Sequence, residues 1–118
     1  MIIVAAVLVS VLLAGLTVFQ VALVAGAPLG HLAWGGQHRV LPTAYRVGSA
    51  VSVVVYALIA WLVWRAVDQP DDPWIWVVTG YFGLGVLMNA ASRSRAERMV
   101  MTPVALLLAL GCLVIALG

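Results

Sequence analysis

Charge in this chain is confined to three short segments, and what lies between them is almost wholly apolar. Residues 1–25, 47–64, 74–91 and 100–117 contain no Asp, Glu, Lys or Arg. A helix rises ~1.5 Å per residue, so each stretch is near the ~20 residues that cross a hydrocarbon core of ~30 Å. Soluble domains of this size carry about a quarter of their residues as charges. Here the charged fraction is 8% and the hydrophobic fraction 65%, leaving too little polar surface for water to be the solvent. The expectation is an all-α membrane protein, a four-helix transmembrane bundle forming one domain over residues 1–118. No internal repeat or low-complexity linker divides it.

All six cations are arginines and the net charge is +2. They are divided among three loops, a pattern that serves membrane topology and argues against nucleic acid as a partner. Cys112 is the one cysteine, so no disulfide can form within the chain. Residues 1–25 lack the basic start of a signal peptide and run too long for its apolar core, so the segment is expected to stay as a first membrane helix.

Helix ends are marked by familiar residue types. The first helix meets Gly26-Ala27-Pro28, where it either kinks and emerges near Trp34 or gives way to a short second segment at the interface. Gly35-Gly36 then ends the apolar run. Thr43 is placed as the N-cap of the second helix, Asp72-Pro73 as the opening of the third, and Ser94 with Glu97 as a capping box for the fourth. Trp61, Trp64, Trp74 and Trp76 flank the acidic second loop as an aromatic belt. Gly80, Gly83 and Gly85 are expected to make the third helix the packing centre, because small residues let a neighbouring backbone approach. Pro103 is expected to bend the fourth helix.

Orientation follows from the arginines. Arg39 and Arg46 lie in the first loop, and Arg93, Arg95 and Arg98 in the third. Only Arg65 borders the second loop, beside Asp68, Asp71 and Asp72. The positive-inside rule puts loops 1 and 3 in the cytoplasm and both termini outside it.

Few side chains are placed to do chemistry. On an unbroken first helix Gln20, Ala27, His31 and His38 share a face, with Ser10 and Thr17 extending it as a polar line. His31 is a titratable group in an apolar run, but it and His38 are a weak metal pair without nearby Cys, Asp or Glu. No cofactor or metal is expected. Tyr81, Gly85, Asn89 and Arg93 form a polar stripe on the third helix, and Ser49, Ser52 and Tyr56 another on the second. Converging stripes would line a pocket, although such residues also serve as helix adhesive. Gln37, Arg39, Arg46, Arg93, Arg95 and Arg98 complete the candidate contacts, suited first to anionic lipid headgroups. Paired carboxylates, a nucleophile with a base and a Gly-rich phosphate loop are all missing, so no enzyme is expected. The first helix also lacks the membrane glutamate of small multidrug-resistance exporters.

Two motifs carry a resemblance. Gly26-Ala27-Pro28-Leu29-Gly30 with Gly35-Gly36, Leu41-Pro42 and Arg46, together with Asn89 and the run from Ser92 to Arg98 ending in Thr102-Pro103, resemble a group of small bacterial four-helix membrane proteins of unknown function. The resemblance implies the architecture and a bacterial cell membrane, and supplies no activity. In that group an acid often follows the position of Gly30, where this chain has His31. The resulting expectation is a non-enzymatic module that binds lipid or a partner, as an accessory subunit or a homo-oligomer. The competing expectation is a small oligomeric transporter or channel, with a polar path lined by helices 1 and 3.

Overall fold

The computed structural model describes residues 1–69 and 71–118. Four helices account for most of them: α1 Ile2–Val24, α2 Thr43–Asp68, α3 Trp74–Ala90 and α4 Arg95–Leu117, with no strand among the described residues. α1, α2 and α4 are long and apolar enough to cross a membrane, while α3 is a shorter apolar helix of 17 residues. At ~1.5 Å per residue α3 spans about 26 Å, slightly less than a ~30 Å core. The exposed sides of these helices remain apolar, with Val4, Val7, Val11 and Val18 on α1 and Leu84, Leu87 and Met88 on α3 all outward. A helix apolar on every side belongs either in a protein core or in lipid. Pro70, part of the second loop, lies outside the described residues.

Neighbouring helices run antiparallel, and cross-contacts set their register. Ser10 meets Trp64, Gln20 meets Tyr56, and Val24 meets Arg46, pairing α1 with α2. Gly118 lies against Ile2 and Gly111 against Val9, pairing α1 with α4 and bringing both termini to one end of the bundle. α3 packs chiefly on α4 and touches α2 only lightly. The main core fills the terminal half with Val9 and Leu13 of α1, Ile59 and Val63 of α2, Ile75, Val78 and Phe82 of α3, and Leu108 and Cys112 of α4. A smaller cluster of Leu23, Ala33 and Leu41 seals the other end.

Several details depart from the sequence expectation. α1 stops at Val24, and Gly26 turns the chain at φ +93°. Two 3-10 turns follow, Gly30–Leu32 and Trp34–Gly36. The chain therefore takes the second of the two routes past Pro28, and the long polar face through His31 and His38 does not form. Ser10 and Thr17, placed on that line, donate instead to the Ala6 and Leu13 carbonyls of their own helix. Pro42, not Thr43, occupies the N-cap position of α2, one residue earlier than expected and without a side-chain cap bond.

The glycines of α3 are the main correction. A β-carbon at Gly80, Gly83 or Gly85 would meet nothing within 4 Å, so no other helix of this chain packs against them. Close approach occurs at Gly111 of α4, where a β-carbon would lie 2.6 Å from Val9 Cγ2. One glycine at the α1–α4 contact thus does the work expected of three on α3. At Gly85 the missing side chain leaves space instead.

Candidate functional site

Loop 1 is not a free connection. It folds back over one end of the bundle, and glycines determine how closely it seats. Trp34 has φ +53°, an uncommon left-handed conformation for a residue of its bulk. The surrounding contacts hold it there: its indole N–H donates to Ser49 Oγ at 3.1 Å, and the ring tilts against Tyr45 with centroids 5.5 Å apart. A β-carbon at Gly48 would sit 2.9 Å from the Trp34 ring, so that glycine is its seat.

Gly35 and Gly36 continue in the left-handed region at φ +79° and +73°. The Gly35 N–H donates to Glu97 Oε2 at 3.1 Å. A β-carbon on Gly36 would overlap the Ser94 side chain. The Ser94 hydroxyl donates to the His31 carbonyl at 2.5 Å while accepting the Glu97 N–H at 3.2 Å as the N-cap of α4. The two motifs that were separate in the sequence, one in loop 1 and one in loop 3, are therefore a single packed unit.

The capping box is half as expected. Ser94 caps, but the Glu97 carboxylate reaches Gly35 rather than returning to the Ser94 N–H, which Ser92 Oγ accepts at 3.1 Å. This substitution by Ser92 frees Glu97 to turn inward. At the other end Pro73, not Asp72, takes the N-cap position of α3; Asp72 stands one residue before it, where its Oδ1 accepts the Trp74 N–H across a local turn and its Oδ2 pairs with Arg65 Nε at 3.1 Å.

Above this floor, between the two packed clusters, lies a cavity of about 270 Å³. Its polar lining is Gln20 from α1, Ser52 and Tyr56 from α2, Tyr81 and Asn89 from α3, and Glu97 from α4, with Trp34 at the loop end. Leu16, Phe82 and Leu108 line the deeper part. Gln20 Nε2 donates to the Tyr56 hydroxyl at 3.3 Å, leaving Oε1 buried without a donor. Glu97 is only 7% exposed. Tyr81, Leu84 and Met88 line the cavity and are also exposed, so its open side is flanked by α3, where contact with α2 is slight.

The expected residues divide by position. Gln20, Tyr81 and Asn89 come together in the cavity, as do Ser52 and Tyr56 from the second polar stripe. His31 is only partly exposed, has its Nδ1 buried without a partner and does not line the cavity. Gln37, His38 and Arg39 are exposed, with the His38 ring 5.7 Å from that of Tyr45. Arg93 and Arg95 are also exposed.

Arg46 and Arg98 are engaged in holding the fold. Arg46 grips the Val24 carbonyl with Nε at 2.9 Å and a terminal nitrogen at 2.6 Å, capping the C-terminal end of α1. Arg98 donates to the Ser92 carbonyl at 2.9 Å, just beyond the end of α3. Cations suit helix C-termini, whose carbonyls lack partners and carry the negative end of the dipole. Arg98 lies in the first turn of α4, where its charge is unfavourable, and reaches back to a carbonyl just past the C-terminal end of α3, where it is favourable.

Glu97 and Trp34 were not on the sequence-derived set of contacts. Glu97 is accounted for in the sequence by a helix cap, and Trp34 only marks where a kinked first helix would emerge. The available signal was the paired serines: with Ser92 placed to accept the Ser94 N–H, Glu97 is released from the cap. No family model matches the chain, nor does any curated protein or solved structure match it.

Proposed function

We propose that this protein is a non-enzymatic bacterial membrane module that binds a small amphipathic molecule, lipid or ligand, in the cavity between its helices. All four helices cross the bilayer in this reading, α3 as the short arm of the α3–α4 hairpin. Loops 1 and 3 face the cytoplasm, as the arginine distribution favours. The carrying observation is the cavity: polar groups from all four helices line one chamber whose remaining walls are apolar. Binding sites for small molecules share that construction, mostly apolar walls with a few placed polar groups. The open flank beside α3 would give access from the surrounding lipid.

The test is saturable binding to protein in lipid nanodiscs, with empty nanodiscs subtracted, using eight-carbon amphiphiles with cationic, net-neutral and anionic heads. At least one should bind at one molecule per chain. Gly85→Leu, which projects a side chain into the cavity while meeting no existing atom within 4 Å at its β-carbon, should abolish that binding and keep the thermal stability. No saturable binding by any of the three, or equal binding by the stable Gly85→Leu variant, would overturn the reading. A second reading, a small oligomeric transporter, is favoured by the convergence of Gln20, Tyr81 and Asn89 on one cavity. Flux of the bound amphiphile into liposomes, lost with Gly85→Leu, would select it.

A further inference from the structure

We infer that the cavity selects an amphipathic cation, an alkylammonium-type head with a short apolar tail; this rests on the ligand-binding reading above and names its ligand class. The argument begins with the charge inventory of the lining. Glu97 is the only formally charged side chain there, and no Lys, Arg or His joins it. Among the described residues the one ion pair is Arg65 with Asp72, in the second-loop region, so Glu97 has no cationic partner. Its hydrogen-bond donor is neutral, the Gly35 N–H on Oε2. A carboxylate removed from water and left unpaired is costly, and a bound cation offsets that cost directly.

Gln20 and the aromatic rings of the lining support the same sign, while Ser52, Asn89 and the tyrosine hydroxyls can donate as well as accept and favour neither. Gln20 is 8% exposed and its Oε1 is a buried acceptor with no donor. Trp34, Tyr56 and Tyr81 place aromatic rings around the cavity, and ring faces attract ammonium groups. An anionic head would meet a carboxylate and an unpartnered carbonyl oxygen. The arginines suited to anions are either exposed or engaged at helix ends.

Position supplies the amphipathic requirement. Glu97 lies in the first turn of α4 beside loop 1, so the charged head sits near the end of the bundle. Leu16 and Leu108 receive the tail deeper between the helices.

The experiment titrates octyltrimethylammonium, octyldimethylamine N-oxide and octyl sulfate calorimetrically into nanodiscs holding the full chain. The cation should bind at one per chain, and the other two at least roughly tenfold more weakly, as expected for a desolvated charge pair. Glu97→Gln keeps an oxygen for the Gly35 N–H and so preserves the floor of the cavity, but should weaken the cation by a similar factor and narrow its advantage over the N-oxide. The wild-type comparison needs no variant, so a folding defect in Glu97→Gln leaves the inference testable. Octyl sulfate or the N-oxide binding as tightly as the cation, or a folded Glu97→Gln with unchanged cation affinity, would overturn it. Either result would leave the ligand-binding reading in place, whereas absence of saturable binding by all three would remove both.

Discussion

The adjacent glycines 35 and 36 separate two effects that usually travel together. Both have positive φ, so an L side chain at either costs about 1–2 kcal/mol for the left-handed backbone. Only Gly36 also faces an atom that a β-carbon would overlap, on Ser94; Gly35 has nothing within 4 Å. Overpacking adds about 1–3 kcal/mol. Gly36→Ala should therefore lower the detergent-solubilised melting temperature clearly more than Gly35→Ala, and equal losses would show that loop 1 does not rest on loop 3. Ser94→Ala removes both the α4 cap and the bond to the His31 carbonyl, with a loss of about 1–2 kcal/mol expected from the cap. Combined with Gly36→Ala, its effect should be less than additive, because both substitutions disrupt one contact. Strict additivity in the same melting assay would separate the two motifs.

Among the helices, a glycine's effect depends on what faces it. Gly111→Leu should destabilise the bundle by about 1–3 kcal/mol, since Val9 of α1 stands 2.6 Å from the β-carbon position. Gly80→Ala and Gly83→Ala should be neutral or stabilising by about 0.5–1 kcal/mol, as alanine is the better helix former and both sites are open. The reverse order of melting temperatures would restore α3 as the packing centre. The helix pattern was legible in the sequence because charge exclusion from long apolar runs is a one-dimensional property. Ser94 was legible because a cap is local. The α3 glycines misled because spacing alone cannot say which side of a helix another helix occupies. Gln20, Tyr81 and Asn89 could be picked out as polar groups in apolar surroundings, whereas for Glu97 the paired serines hinted only at its release from the cap and not at where it would turn. Its inward turn depends on Ser92 taking over the cap and on Gly35 arriving from 62 residues away.

Across the whole molecule, the contact between loops 1 and 3 gathers five of the six arginines at one end. Arg39, Arg46, Arg93, Arg95 and Arg98 belong to the two loops that pack together at one end, while Arg65, Asp68, Asp71 and Asp72 lie around loop 2. Ile2 against Gly118 puts both chain ends with loop 2. Translocating five arginines is far less favourable than translocating one arginine among three aspartates, so the arginine end is expected to remain in the cytoplasm. A periplasm-dependent alkaline phosphatase fused after Gly118 in a bacterial host should therefore be active, and green fluorescent protein fused there should be dark after export through the general secretory route. Replacing Arg93 and Arg95, which are exposed, with Asn should weaken this bias while leaving the Arg46 and Arg98 bonds to helix ends intact. A mixed population of fusion orientations is the expected result. A bright, cytoplasmic fluorescent fusion to the wild-type chain would reverse the assignment and place the Glu97 end of the cavity at the outer face of the membrane.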